Sequence, residues 1–392
     1  MIPAWPPTQP GWLLLGGLGL SFWLFSALFL TARIRRVPLF SPAAVPPGPT
    51  PTLSVVIAAR NDAAGLRRTA TSVLAQQLPG LELILVDDRS TDGTGELVEE
   101  LAAADPRVRA EHVRELPPGW LGKVHALHTG LQHATGELVL FSDADARFAP
   151  GTLAALARLA QARALDHLTV LPWVPPRGLG LAALVSLVRS GLLATWPPGD
   201  DSPTGYAGFG PCNLVRRAAF LQTPGFPALR LELLDDMGVG WLCAGPGHRR
   251  LVLASAGEVA FDWYPSLAAM FAGLEKNLFA GLAGFATGRA LGLTLVCLLA
   301  PLLPLAAGHP AALPWLWPLL LFTGLGLAVY AGTVRARLGG SRLGAVLLPL
   351  GMLLFAGALA RSTWAFHRRR GVVWSATFYP AEEVIRGRRV RR

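Results

Sequence analysis

Three pairs of acids punctuate one stretch of the chain: Asp87-Asp88, Asp143-Ala144-Asp145 and Asp235-Asp236. Only 15% of the residues are charged, so paired carboxylates directly after apolar runs are poor candidates for ordinary solvated surface. The first pair follows the strand-like run 81–86, and the second follows 137–141. In an open parallel sheet, residues just past the strand C-termini line the ligand crevice. Acids at i and i+2 after a strand can both turn toward one divalent cation. Mg²⁺ accepts one or two protein carboxylates and takes its remaining ligands from diphosphate oxygens and water. Such an ion offsets the charge that builds on a departing diphosphate. A carboxylate of the third pair could take a proton, provided it comes within hydrogen-bond reach of it. Asp92 reads separately, as the N-cap of the helix that follows.

The cations are lopsided. Lys123 and Lys276 are the only lysines among 35 Lys and Arg residues. Lys123 sits in a Gly-rich turn ahead of a predicted helix, where a phosphate binds well; a solvent-exposed lysine is the plainer alternative. His125, His128 and His133 share that helix, but their spacing is not a metal box, so packing or surface roles are expected. Cys212, Cys243 and Cys297 are far apart, which excludes a zinc knuckle and argues against a disulfide framework.

The elements that must position these groups form a repeating pattern. Strands are predicted at 53–59, 81–86, 137–141 and 168–172, with helices at 64–75, 94–103, 124–133 and 150–162. That alternation predicts an α/β fold: a Rossmann-like, mostly parallel sheet with helices on both faces. The flanks differ. With 392 residues, 52% hydrophobic, and a mean hydropathy of +0.42, the chain suits one soluble domain plus a membrane part. Residues 12–32 match the ~20 apolar residues that a bilayer core requires, and Arg33, Arg35 and Arg36 follow at once. The positive-inside rule puts everything after them in the cytoplasm. Three further apolar runs, near 282–307, 313–334 and 343–360, are predicted membrane helices. If all three cross, the Arg-rich tail ends outside, against the charge rule. A re-entrant last segment, or a crossing by 178–195, restores it. Residues 178–195 and 264–279 are read as helices lying at the interface. The expected division is a membrane anchor at 1–36, a Pro-rich linker at 37–51, the catalytic α/β domain at 52–260, an interfacial segment at 261–281, transmembrane helices at 282–361 and a basic tail at 362–392. The net charge of +10, concentrated in that tail, fits an anionic membrane leaflet better than nucleic acid.

Ser54-Val55-Val56-Ile57-Ala58-Ala59-Arg60-Asn61-Asp62, the run 86–94 and Asp143-Ala144-Asp145 together resemble the signature of glycosyltransferase family 2 over about 52–277. The resemblance implies a GT-A fold, a nucleotide-diphosphate sugar donor with UDP favoured, and a divalent cation, Mg²⁺ or Mn²⁺. It also implies roles. Ala58, Arg60, Asp87, Asp88, Lys123, Asp143 and Gly210 would bind the nucleotide sugar. Asp143 and Asp145 would hold the metal. Asp236, assisted by Asp235, would be the catalytic base. The loop 208–213 would lie beneath the sugar and acceptor. No Gln-x-x-Arg-Trp box follows the third acid, unlike the polysaccharide synthases of the family. The runs 119–126, 262–266 and 273–277 are instead similar to membrane transferases acting on carotenoid acids and to hopanoid-associated relatives, with Trp263, Tyr264, Lys276 and Asn277 on the acceptor or membrane side. The expected activity is inverting, non-processive sugar transfer to a lipid-like acceptor (carotenoid, hopanoid or polyprenyl) by a multi-pass cell-membrane protein. A processive polysaccharide synthase and a non-catalytic nucleotide-sugar-binding scaffold are the competing readings.

Overall fold

The computed structural model describes residues 10–175, 177–195, 206–245 and 247–390. Its centre is a seven-stranded sheet. In chain order the strands are β1 (Leu53–Ala59), β2 (Leu81–Asp88), β3 (Val108–Val113), β4 (Leu138–Asp143), β5 (Ala146–Phe148), β6 (His167–Leu171), β7 (Asn213–Arg216), β8 (Arg250–Ala254) and β9 (Val259–Phe261). The sheet order is β3-β2-β1-β4-β7-β6-β8, while β5 and β9 form a separate two-stranded ribbon. All neighbours in the large sheet are parallel except β7, which runs antiparallel between β4 and β6.

The strands are apolar on both faces because both faces are covered. Val56 of β1 packs into one core with Ile84, Val86, Val139 and Phe141. Val55 and Ile57 enter the opposite core with Leu83, Leu85, Leu138 and Leu140. The strand period of two thus splits each continuous run between two layers. The helices in chain order are α1 (Pro10–Arg36), which packs outside the sheet, then α2 (Ala63–Leu74), α3 (Thr94–Ala104), α4 (Gly122–His133), α5 (Thr152–Ala162) and α6 (Leu179–Thr195). The expected strands and helices lie close to their predicted bounds. Asp92 departs from expectation: Gly93 is the N-cap of α3, and Asp92 instead accepts the Thr94 N–H at 3.1 Å from just outside it. Strands β3, β7, β8 and the β5–β9 ribbon are additions that the periodicity did not reveal.

The chain leaves β1 for β2 and β3 on one side and reaches β4 on the other. That reversal of strand order is a topological switch point, where ligands bind in open α/β sheets. The register puts Ala58 of β1 opposite Val86 and Asp143, and Ala59 opposite Asp87. The first two acidic clusters therefore flank the end of one strand.

Among the described residues, four helices are long and apolar enough to cross a membrane by length and composition: α1, Thr287–Gly308, Leu313–Leu338 and Leu348–Arg369. Three pack together. Helix α1 and Leu313–Leu338 run side by side in the same direction: Trp12 stacks on His309, Thr323 Oγ1 donates to the Leu20 carbonyl, and Arg337 donates to the Val37 carbonyl. The Trp23 indole N–H reaches the Ala300 carbonyl of the intervening segment. Leu14, Phe25, Leu295, Phe322 and similar side chains remain exposed around them. The fourth helix is half buried. It lies across α6, with Gly351 against Ala183, and its far end is tied to the segment before residue 281. Arg361 and Arg369 pair with Glu275, while the Ser362 hydroxyl donates to the Glu275 carbonyl and accepts the Phe279 N–H. The region expected to be a basic tail is folded. Residues 362–369 complete this helix, and a hairpin of β10 (Gly371–Trp374) and β11 (Thr377–Pro380) leads to the short helix Ala381–Gly387. The N–H groups of Arg389 and Val390 donate to Glu232.

Ser362 is fully buried, so its removal leaves the Phe279 N–H unsatisfied at a cost of about 1–3 kcal/mol. Ser362→Ala is expected to lower the melting temperature of the detergent-solubilised chain by several degrees in a thermal-unfolding scan. An unchanged transition contradicts the tie between this helix and the segment before residue 281.

Candidate active site

The strand ends and the start of the helix Asp235–Leu242 converge on one cleft of about 500 Å³. It is lined by Arg60, Asp62, Lys123, Asp143, Asp145, Asp235 and Asp236 on its polar side. A smaller recess adjoins it, lined by Ala58, Ala59, Arg60, Asp88, Gly122, Lys123, Trp374, Ser375 and Tyr379. The three acidic clusters, separated by dozens of residues, thus share one site.

Lys123 holds the centre. Its Nζ lies 2.6 Å from Asp143 Oδ1 and 2.8 Å from Asp235 Oδ2, joining the end of β4 to the first turn of Asp235–Leu242. Burial opposes the ammonium's charge, but Asp143 and Asp235 outweigh it and hold the Lys123 pKa well above its ordinary value. The expectation that Lys123 faces a phosphate is refined here: its donors already meet two carboxylates. Gly210 fits between the same groups. It accepts the Asp143 N–H through its carbonyl and donates its own N–H to Asp236 Oδ2 at 3.2 Å. A Cβ built there would overlap the Asp143 carboxylate.

Asp236 also accepts the Met237 N–H at 2.8 Å. Its pKa is pushed up to about 7, first by burial and then by Asp235. Asp145 makes no salt bridge among the described residues, and burial followed by the charge of Asp143 raises it to about 7. Tyr264 borders this corner: burial, then Asp145 and Asp143, push its phenol up to about 12, so it stays protonated. No group of three or more His, Cys, Asp or Glu side chains among the described residues could cage a metal by itself. Two carboxylates, one of them without a cationic partner, fit instead an ion whose remaining ligands come from a bound diphosphate.

Asp88 lies at the far end. Arg89 grips it through two hydrogen bonds of 2.7 and 3.1 Å, and Arg60 approaches to 3.9 Å. The carboxylate nearly touches Gly122 at the start of α4, where any side chain would collide with it. Asp87 does not line the cleft. One of its oxygens accepts the Ser90 N–H and the other meets His112 Nδ1, so it shapes the loop and ties β2 to β3 instead of facing a ligand. Ala58, Arg60, Lys123, Asp143, Asp145, Gly210, Asp235, Asp236, Trp263, Tyr264, Lys276 and Asn277 all border the main cleft.

Several lining residues escaped the sequence reading. Trp374, Ser375 and Tyr379 come from the C-terminal hairpin. Its turn residues, Ser375 and Ala376, both have positive φ (45° and 62°), a geometry that usually advertises itself through Asn-Gly or Asp-Gly. Arg189 is the other. It is 5% exposed within α6, borders the cleft among Leu171, Val174, Leu192 and Phe209, and donates to the Leu338 carbonyl at 3.2 Å. Its Nε and Nη2 have no hydrogen-bond partner among the described residues. One charge within a 17-residue apolar helix was the available signal.

Residues 54–191 match the family described as Glycosyl transferase family 2. Two curated relatives, the 4,4'-diaponeurosporenoate glycosyltransferases of Staphylococcus aureus strains USA300 and bovine RF122, are each 26% identical, over 239 and 240 residues. Each alignment covers 59% of this chain and 62% of the relative. Among solved structures, a mannosyltransferase from Pyrobaculum calidifontis, in complex with GDP-Man and Mn²⁺, superposes with a TM-score of 0.55 at 22% identity. That likeness covers 90% of this chain and 99% of the other, and it establishes the GT-A-type fold together with its flanking helices.

Lys123→Met removes the one cation between Asp143 and Asp235. Breaking a fully buried pair costs about 3–5 kcal/mol. Lys123 and the Asp143 side chain are each 25% exposed, which discounts the cost to about 1–3 kcal/mol. Denaturant unfolding of the purified chain measures this, and wild-type stability would contradict the bridge.

Proposed function

We propose that this chain is an inverting, non-processive glycosyltransferase that moves a sugar from a nucleotide-diphosphate sugar to an amphiphilic acceptor at the membrane. The single observation behind the proposal is the shared cleft: Asp88 in one recess, Asp143 and Asp145 at the next strand end, and Asp236 beside an apolar wall. The family-2 match and the named activities of the relatives agree with it.

In this reading the nucleoside enters the recess beside Arg60 and Asp88. Asp145, with Asp143, would hold a divalent cation, which when bound offsets the charge of the leaving diphosphate. Asp236 takes the proton from the acceptor. An active-site carboxyl near neutrality is well matched to that task, since it is substantially ionised yet basic enough to accept a proton. Its N–H contacts from Gly210 and Met237 fix the orientation of the carboxylate. Lys123 supports both acids without touching the reaction.

The acceptor side is apolar, and it continues into the helices. Leu171 and Phe209 of the cleft wall pack in one buried cluster with Met237, Trp23, Ala27, Ile34 and Val334, so the apolar side of the cleft is continuous with the interior between the apolar helices. Arg189, buried in that wall with two unpartnered nitrogens, suits an anionic head on an apolar tail.

The protein is read as multi-pass, with the catalytic domain on the cytoplasmic side where Arg33, Arg35, Arg36 and Arg337 cluster. Leu348–Arg369 then rests on the membrane-facing side of the domain without crossing, which returns the arginine-rich end to the cytoplasm. Single cysteines at Ser341 and Arg370 are expected to react with an impermeant maleimide from the same side in oriented vesicles. Reaction from opposite sides contradicts that arrangement.

Membranes containing the chain, incubated with labelled UDP- and GDP-sugars, are expected to yield a glycosylated lipid identifiable by mass spectrometry. Asp236→Asn should reduce transfer by about 10²–10⁴-fold. Because the Asp236 pKa is raised to about 7 and the base works ionised, kcat should fall as the pH drops below about 7 and level off above it. A rate independent of pH between 5 and 8, or full transfer by Asp236→Asn, removes Asp236 as the base. A polymeric product would favour the processive alternative.

A further inference from the structure

Two lysines border the cleft and only one is neutralised. Lys123 meets two carboxylates. Lys276 makes no salt bridge among the described residues, and its Nζ lies 3.7 Å from the centre of the Trp374 ring. An ammonium over an indole face gains about 0.5–2 kcal/mol, but the indole carries no net charge, so the positive charge stays available to an anion. Burial, with Lys123 nearby, lowers the Lys276 pKa to about 8 despite the surrounding Asp235, Asp143 and Asp236. The ammonium lacks a close anionic partner, and a phosphate would supply one.

Both neighbours of this contact are held from outside the cleft. Glu275, next to Lys276, is clamped by Arg361, Arg369 and the Ser362 hydroxyl. Trp374 ends β10, and its hairpin is tied at two points, to the residue after β1 and to the start of α4. Arg60 Nη1 donates to Thr377 Oγ1 at 3.1 Å, and the Gly122 N–H donates to the Tyr379 hydroxyl at 3.2 Å. The two non-glycine turn residues with positive φ carry strain of about 1–3 kcal/mol each, a cost that concentrates at ligand clamps. Ser375 and Trp374 border both the recess beside Asp88 and the main cleft. A donor with its base in the recess and its sugar near Asp236 must lay its diphosphate across that boundary.

We infer that Lys276, seated on Trp374, is the cation that grips the donor's diphosphate, and that the hairpin Gly371–Pro380 is a wall of the donor pocket. Lys276, expected from the sequence on the acceptor side, is thereby assigned to the donor. The assignment rests on the proposed nucleotide-sugar activity, and it places part of the donor site about 180 residues beyond the family-2 match. Trp374 is a positioning residue: it acts by holding the ammonium.

Isothermal titration of the full-length chain in nanodiscs with Mn²⁺ tests it, using UDP, GDP and the two monophosphates UMP and GMP. Lys276→Gln is expected to weaken the preferred diphosphate by about tenfold or more, the scale of a charge-assisted contact, while the monophosphate changes less than about twofold. Lys276→Arg should recover most of the loss. Trp374→Leu should reproduce part of it and add little on top of Lys276→Gln, with Trp374→Phe closer to wild type. The inference is overturned if Lys276→Gln leaves diphosphate affinity unchanged, if diphosphate and monophosphate weaken equally, or if Trp374→Leu and Lys276→Gln lose affinity independently. A wild-type chain that binds none of the four nucleotides overturns the proposed activity itself, and the assignment falls with it.

Discussion

Without the ammonium of Lys123, the carboxylates of Asp143, Asp145, Asp235 and Asp236 at the centre of this molecule would have no reason to stay together. Asp143 ends a strand in the first half of the sheet, and Asp235 starts a helix nearly a hundred residues later. Lys123, on the first turn of a third element, touches both. Like charges a few ångströms apart in a partly desolvated cleft repel, and the raised pKa of Asp236 and Asp145 comes first from burial and then from the neighbouring Asp235 and Asp143, which the lysine does not fully cancel. The arrangement is stable enough to persist and still short of positive charge. That residual deficit suits a site built to receive a cation together with a polyanionic ligand.

The same economy of charge shapes the surroundings. Several carboxylates are fully engaged: Asp88 by Arg89, Glu275 by Arg361 and Arg369, and Glu232 by backbone N–H groups from residues 234, 389 and 390. At the cleft, by contrast, Asp145 and Lys276 make no salt bridge and two nitrogens of Arg189 have no hydrogen-bond partner among the described residues, and unpaired polarity in a buried setting costs free energy. The C-terminal segment contributes to the outcome: by folding back, it supplies a wall of the recess, a clamp on Glu275 and a brace for Glu232 just ahead of the third acidic pair.

Strands with continuous apolar runs and helices with regular periodicity were readable from the chain, and so were the acids at the strand ends, because a switch point in a parallel sheet follows from the alternation itself. Asp88, Asp143, Asp145, Asp235 and Asp236 do share one site. Asp87 misled: adjacent acids at a strand end point to opposite sides, and only Asp88 faces the recess while Asp87 turns to His112. Short antiparallel strands such as β7, at four residues, carry too little pattern to be seen. The hairpin hid for a different reason, since Ser-Ala at its turn lacks the glycine signal and arginine-rich flanks looked like a solvated tail. The last apolar helix meets the length and composition criterion for a membrane span with half of it buried against its neighbours, a tertiary fact that hydropathy does not encode.

The central claim is that one cation and one diphosphate bring these distant acids into a single working site. Anomalous diffraction, or cryo-electron microscopy in nanodiscs, of the chain with a nucleoside diphosphate and Mn²⁺ addresses it directly. The account predicts a manganese ion bonded to Asp145 and to phosphate oxygens, with the base in the recess beside Asp88 and Asp236 facing the vacant sugar position. A nucleotide bound away from this cleft, or a manganese site that excludes Asp145, would contradict it.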